Sequence, residues 1–380
     1  MNDQPTDQLK TLIQFLESDP ENPALLADVA QAALAADQCR LAQETLERLD
    51  EVEPLAGQMA NLAGIAAMRA GDQQTARRWF DVAQQDNPDD EGLIFNVAWS
   101  FALSGDFESS AELITLSLTD KLAQAAMLDV QISHELGRFE EAEAKMDRYI
   151  AKHPDYAPLH ASVSVLAMDI DRPDLAKDAA LKGGRHPDAL TTLGALELGE
   201  HKLDEAEALF EQALANGHKS PRAEIGRGLV SLARQDYSSA ASAIDKGAQQ
   251  FSDHLGSWIA AGWAHLLAGD GEAAKERFRK ALDTDDTFSE AHGSLAVMDV
   301  LGGDIEEGKR KAEIAMRLDR SSFSSALAGI LIANANHNAE AAERILKRAL
   351  SSKVLPGGET LEQAIIQSVS FGLGPNSYSS

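Results

Sequence analysis

The sequence predicts an all-α chain of tandem helix pairs, an α-solenoid in which each pair completes its core against the next. Three observations predict it. The stretch Leu255–Thr287, LGSWIAAGWAHLLAGDGEAAKERFRKALDTDDT, holds two short amphipathic segments joined by Gly269-Asp270, and most of the 380-residue chain repeats it. Small residues return at fixed points of that repeat, as close helix packing requires. Runs alternating with a period of two are few and aromatics are only 5%, which disfavours a sheet.

The elements follow in order. Asp7–Ser18 reads as one amphipathic helix, with Leu9, Leu12, Ile13 and Leu16 on a single face and Thr6 or Asp7 as its cap. Asp19-Pro20 ends it, because a residue before proline avoids the helical region. It forms an N-terminal half-repeat covering the first full unit. About ten units then begin at Pro23, Gly57, Glu91, Ala123, Ala157, Pro187, Pro221, Leu255, Ser289 and Phe323. Most steps are 34 residues; the unit at Glu91 is two shorter and that at Ala157 four shorter.

With Leu255 as position 1, position 20 reads Ala42, Ala76, Ser110, Ala142, Ala176, Ala206, Ala240, Ala274, Gly308 and Ala342, all small. Position 8 is mostly Gly, Ala or Ser, with Val130 and Ile330 as exceptions that predict wider helix spacing or a one-residue register shift. Position 24 is mostly bulky: Leu46, Phe80, Ile114, Met146, Phe210, Ile244, Phe278 and Leu346, against Ala180 and Ala312. Position 17 reads as packing, and Cys39 falls there. Pro54, Pro88 and Pro154 at position 32 break second helices before the next unit. One pair cannot bury its apolar stripe alone, so each unit uses its neighbour as half of its core.

Irregularities suggest an internal boundary. Asp171-Arg172-Pro173-Asp174 forms a turn with Pro173 near a first helical position, and Gly183-Gly184 caps a short second helix. The array therefore divides as residues 1–22 (cap), 23–186 (first half), 187–356 (second half) and 357–380. In the last part Glu359–Ser370 reads as a helix with Leu361, Ile365, Ile366 and Val369 that caps the open end, followed by a disordered tail.

Trp258 at position 4, Gly262 at 8, Gly269 at 15, Ala274 at 20, Phe278 at 24 and Ala281 at 27 together resemble the tetratricopeptide repeat, a 34-residue helix-turn-helix unit. The resemblance covers roughly Pro23 to Pro356. It implies a right-handed superhelix whose first helices line a concave face that binds extended peptides or helices of partner proteins, with positions 5, 9 and 12 pointing into it. Those positions give two apolar clusters here: Phe95, Trp99 and Met127, and Ile225, Leu229, Ile259, Trp263 and Leu266. Packing between adjacent first helices is the competing reading of the same residues. The Lys/Asn clamp with which chaperone-binding members hold a C-terminal carboxylate is missing: Asn96 has Asn61 and Ile65 before it and Gln124 and Leu128 after it.

The formal net charge of -27 disfavours nucleic acid and anionic membrane surfaces and suits a basic partner or simple solubility. Cys39 is the single cysteine, so no internal disulfide is expected. The N-terminal residues lack the pattern of a signal peptide, and no apolar run approaches the ~20 residues of a membrane span. A cytoplasmic, acidic protein is the expectation. No chemistry declares itself. His134-Glu135 lacks the second His of a zinc-protease helix, Asp169, Asp171 and Asp174 read as helix caps rather than a calcium loop, and Gly183-Gly184 and Gly302-Gly303 lack a phosphate loop's spacing. The expectation is a non-catalytic scaffold or adaptor with no cofactor and no metal, binding another protein. The alternatives are an accessory subunit of an enzyme or a secretion or envelope-assembly machine, with a glycosyltransferase- or sulfotransferase-type partner, and a peptide-sensing regulator.

Overall fold

In the computed structural model of the chain the residues described are 4–215, 219–251 and 254–351. They form 22 helices and no strand. The chain divides into two compact units, Met1–Leu166 and Ala167–Ser380. The first contains α1 (Gln4–Ser18), α2 (Pro23–Ala35), α3 (Cys39–Val52), α4 (Gly57–Ala70), α5 (Gln73–Asp86), α6 (Glu91–Leu103), α7 (Phe107–Leu113), α8 (Leu116–Lys121), α9 (Ala123–Glu135) and α10 (Phe139–Lys152). The division falls inside α11 (Ala157–Asp169). The second unit contains α12 (Pro173–Gly183), α13 (Pro187–Gly199), α14 (Leu203–Ala215), α15 (Pro221–Ala233), α16 (Tyr237–Phe251), α17 (Leu255–Leu267), α18 (Gly271–Thr284), α19 (Ser289–Leu301), α20 (Ile305–Leu318), α21 (Phe323–Ala335) and α22 (Ala339–Leu350). Glu359–Ser370 and the tail lie outside the described residues.

Ten first helices begin at the ten positions the repeat register predicts. The physical reason is a short connection, two residues in the unit at Gly57 and three in the other nine, whose last two residues are positions 15 and 16 of every unit. Position 15 has positive φ throughout: glycine at Gly71, Gly105, Gly137, Gly269 and Gly303, and a side chain at Asp37, Asp171, His201, Gln235 and His337. One left-handed residue stops the first helix, and position 16 starts the second. Where position 16 is Asp or Asn, its side chain caps the new helix: Asp72 accepts from the Thr75 N–H at 3.0 Å, Asp270 from Ala273 at 3.0 Å and Asn338 from Ala341 at 3.0 Å. The Thr75 N–H holds the Asp72 carboxyl below its ordinary range. Gln235 has φ 63° and none of the local hydrogen bonding that eases Asp or Asn into this region. Gln235→Gly should therefore raise stability by about 0.5–1 kcal/mol in urea unfolding, with strain relief outweighing the entropy of the freer unfolded chain.

Asp171 corrects the capping expectation for its turn. It is itself the left-handed residue at φ 58°, so Arg172 precedes α12 and contributes no side-chain cap. Pro173 still opens that helix.

The small column is the seam. Ala42, Ala76, Ser110, Ala176, Ala206, Ala240 and Ala274 are fully buried, Ala142 and Ala342 nearly so. Facing them, positions 8 and 24 form matched pairs. A Cβ on Gly64 would lie 2.3 Å from the Phe80 ring, one on Gly194 2.8 Å from Phe210, one on Gly262 2.3 Å from Phe278, and one on Gly228 2.4 Å from Ile244. The ring occupies the volume the glycine leaves. Where position 24 is Leu46, position 8 is Ala30, and both are buried. Val130, flagged as an exception, is 1% exposed. The repeat at Phe323 does shift by one residue: Gly329 faces Ile345, at positions 7 and 23, and Leu346 is left 46% exposed.

At the N-terminus α1 lays Leu9 and Leu16 into the core of the first pair. The helix expected after Phe107 is broken instead. Ile114 turns extended, and the Thr115 hydroxyl accepts from the Leu118 N–H at 3.2 Å to start α8. Two successive β-branched residues with a capping hydroxyl favour that restart.

Buried polar groups fix the pairs. In the first unit the Tyr149 hydroxyl donates to Asp129 at 2.6 Å, and Lys145 donates to the same carboxylate oxygen at 3.1 Å. Burial, then the Asp129 carboxylate, pushes the Tyr149 phenol well above its ordinary pKa of 10. A raised folded-state pKa means the stability linked to the protonated phenol is complete below pH ~10 and is lost as pH rises from there, where the unfolded tyrosine ionises first. Tyr149→Phe should cost about 1–2 kcal/mol at pH 8, and the gap to wild type should narrow above pH ~10 in urea titrations.

Candidate functional site

The candidate surface is built from first helices. Side chains at positions 5, 9 and 13 share one stripe because residues four apart lie on one helix face. Its composition was read from the sequence at 5, 9 and 12, and the two clusters lie in different units.

In the first unit Phe95 and Trp99, one turn apart on α6, are both half-buried, with ring centroids 5.6 Å apart and tilted. They rest on a floor of Ala98, Leu128 and Ile132. Met127 is 7% exposed and closed within the packing of α9. Next to the rings the Asn96 amide donates to the Asn61 carbonyl oxygen at 3.1 Å, across two first helices.

In the second unit Leu229 is exposed, Ile225, Trp263 and Leu266 are half-buried, and Ile259 is buried. Ile225 leans on Gly247 of α16, where a Cβ would meet its Cγ1 at 2.6 Å. Trp263 stands edge-on to Phe278 at 5.3 Å between centroids. Met127 and Ile259 thus support the surface from beneath, and Ile225 and Trp263 are shared between core and surface. Sequence reading missed three members: Leu103, Leu267 and Leu301, all at position 13 and 51%, 54% and 56% exposed. The signal was present, since all three are leucines at one register point, one helical turn beyond position 9.

Other candidate groups resolve as structure. Cys39 is a buried free thiol, pushed up in pKa mainly by that burial. Among the described residues no three His, Cys, Asp or Glu side chains are placed to hold a metal ion, and no helix is long and apolar enough to cross a membrane.

The repeat geometry has a counterpart in known proteins. The family described as Tetratricopeptide repeat matches residues 27–91 and 191–254. The chain carries tetratricopeptide repeats in those two stretches. Among solved structures, the repeat array is similar to a monomeric mutant of IFIT1 with Gppp-AAAA, at 12% identity, TM-score 0.58, covering 92% of this chain and 95% of that one. It is also similar to the human IFIT1 dimer with PPP-AAAA, at 12% identity, TM-score 0.52, covering 92% and 94%. At that identity the likeness is one of fold. No curated protein matches the sequence. The tetratricopeptide repeats imply a protein-interaction scaffold.

Proposed function

We propose that the chain is a non-catalytic adaptor that holds an amphipathic segment of another protein on the exposed stripe of its first helices. The observation that carries this reading is the group Leu229, Trp263, Leu266 and Leu267 in the second unit, apolar side chains left wholly or partly open on neighbouring first helices, with Leu229 and Trp263 both at position 9. Single exposed leucines are ordinary; several open apolar side chains on neighbouring first helices support a docking surface. The aromatic pair Phe95 and Trp99 offers the first unit a second anchor of the kind that dominates binding energy. The net charge of -27 selects a partner whose polar face is basic, since like charge would slow encounter. The same charge weighs against a phosphate-rich ligand such as the oligonucleotides in the IFIT1 structures.

The test uses tryptophan fluorescence of the full chain, titrated with a designed Leu/Lys amphipathic peptide and its Leu/Glu counterpart. The Leu/Lys peptide should bind, and Leu229→Glu with Leu267→Glu should weaken it at least tenfold, with helicity by circular dichroism unchanged. Equal response to both peptides, or undiminished binding by the double variant, would remove the stripe as the site.

A further inference from the structure

A cleft of about 530 Å³ opens in the second unit between α20 and α22, with α21 as its floor. That volume is within the ~300–1,000 Å³ range of ligand clefts. The floor is held from behind by α19. A Cβ on Gly293 would lie 2.6 Å from the Ser325 nitrogen, and Ser294 and Ser324 share a hydroxyl hydrogen bond of 3.1 Å. The Glu290 carboxylate accepts from the Ser324 N–H at 3.1 Å and from the Ser324 hydroxyl. A floor fixed in this way gives a slot that exists before any ligand enters.

Apolar side chains make the body of the cleft. Met316, Phe323, Ile332 and Ile345 line it, and Met316 and Phe323 are 51% and 52% exposed. Cations stand around them. Ile345 of α22 faces Gly329 of α21, and the two helices run antiparallel. One turn further along α22, Arg348 is therefore level with the first turns of α21, the end at which Arg320 leads into that helix. Lys309 lines the cleft toward Ile332, where its aliphatic stem extends the apolar wall. One carboxylate, Glu313, lines the cleft, and Arg317 meets it at 3.8 Å. Among the described residues neither Lys309 nor Arg320 has an ion-pair partner. In a chain of net charge -27 this is an apolar slot with a basic rim, complementary to an apolar anion.

We infer that the cleft binds a single-chain aliphatic carboxylate, of the fatty-acid class, with its head at Arg320 and Arg348 and its chain along Met316, Phe323, Ile332 and Ile345. A guanidinium presents two parallel N–H groups that match the two oxygens of a carboxylate. The floor from Phe323 to Ile332 runs ~13.5 Å at 1.5 Å per helical residue, a track for an extended hydrocarbon chain. The acidity of the chain as a whole does not prevent this. At physiological ionic strength charges beyond ~8 Å are largely screened, so the cations at the rim set the local field. The bound chain would touch α20, α21 and α22 together and so stabilise the last described repeat. The site differs from the stripe of the proposed function in place and in sign: the stripe suits a basic partner, the cleft an anion.

The experiment is titration calorimetry of the full chain with dodecanoate, kept below its micellar concentration. One saturable site per chain is expected. Decanoate and octanoate should bind progressively more weakly, at least fourfold for each pair of methylenes removed, against about fourfold for every single methylene if burial were complete. Arg320→Glu with Arg348→Glu, both at exposed positions, should weaken dodecanoate at least tenfold, and Met316→Gln at least threefold, with helicity by circular dichroism unchanged. Leu229→Glu with Leu267→Glu should bind it as before, which separates this site from the stripe. No saturable binding, an affinity independent of chain length, or undiminished binding by either cleft variant would overturn the assignment. So would loss of binding in the stripe variant. Capture of the Leu/Glu peptide in a way that excludes dodecanoate would overturn it too, and would make the cleft a protein-docking slot.

Discussion

Gly262→Ala should destabilise the second unit by about 2–3 kcal/mol, although alanine is the better helix former by about 1 kcal/mol. The added methyl would sit 2.3 Å from the Phe278 ring, which is itself fully buried and has nowhere to move. Overlap of that size forces the two helices apart, and the next pair loses its contact with them. The same chain shows the remedy. Its first repeat pairs Ala30 with Leu46, both buried, in the same two positions. Gly262→Ala combined with Phe278→Leu should therefore recover more than half of the loss, whereas Phe278→Leu alone should cost about 1–2 kcal/mol through the gap it leaves. Urea unfolding of the four proteins gives the coupling energy, expected to exceed about 1 kcal/mol. Simple additivity would show that the two positions do not share one space.

Asp299→Ala should be comparably severe, about 2–4 kcal/mol. The Asp299 side chain on α19 is 7% exposed and joins three helices: Lys275 of α18 donates to one oxygen at 3.3 Å, and Lys311 of α20 donates to the other. Removing the anion leaves two cations facing one another. The usual loss for breaking a buried pair is ~3–5 kcal/mol. It is reduced here because the lysine side chains are 29% and 21% exposed, and Lys311 also meets Glu307 at 3.2 Å. Adding Lys275→Met to Asp299→Ala should restore about 1 kcal/mol, since one of the two facing charges is gone. A loss below about 1 kcal/mol in urea unfolding of Asp299→Ala would mean that the lysines simply turn into solvent.

Much of this was legible in the sequence. Position 20 announced the seam through a column of small residues, and all ten first helices start where the register puts them. The pairing of Gly262 with Phe278 was visible as two separate columns, small at 8 and bulky at 24, though not as a contact. The candidate stripe was only partly legible. Positions 5 and 9 mark a helix face, but whether Ile259 closes over while Leu229 stays open depends on how far the neighbouring helix has tilted, which no single repeat encodes.

The sequence by itself determined the helix pairs, their register and the turn between them, because caps, left-handed residues and period-3.6 patterning act within a few residues of chain. Tertiary structure alone decided the one-residue shift in the repeat at Phe323 and which side chains of the candidate stripe stay open, because both follow from how neighbouring repeats settle against one another. Small residues such as Gly293 and Ser324 permit close approach without specifying its angle, so the angle is set by the packing of the whole set of helices rather than by any local signal.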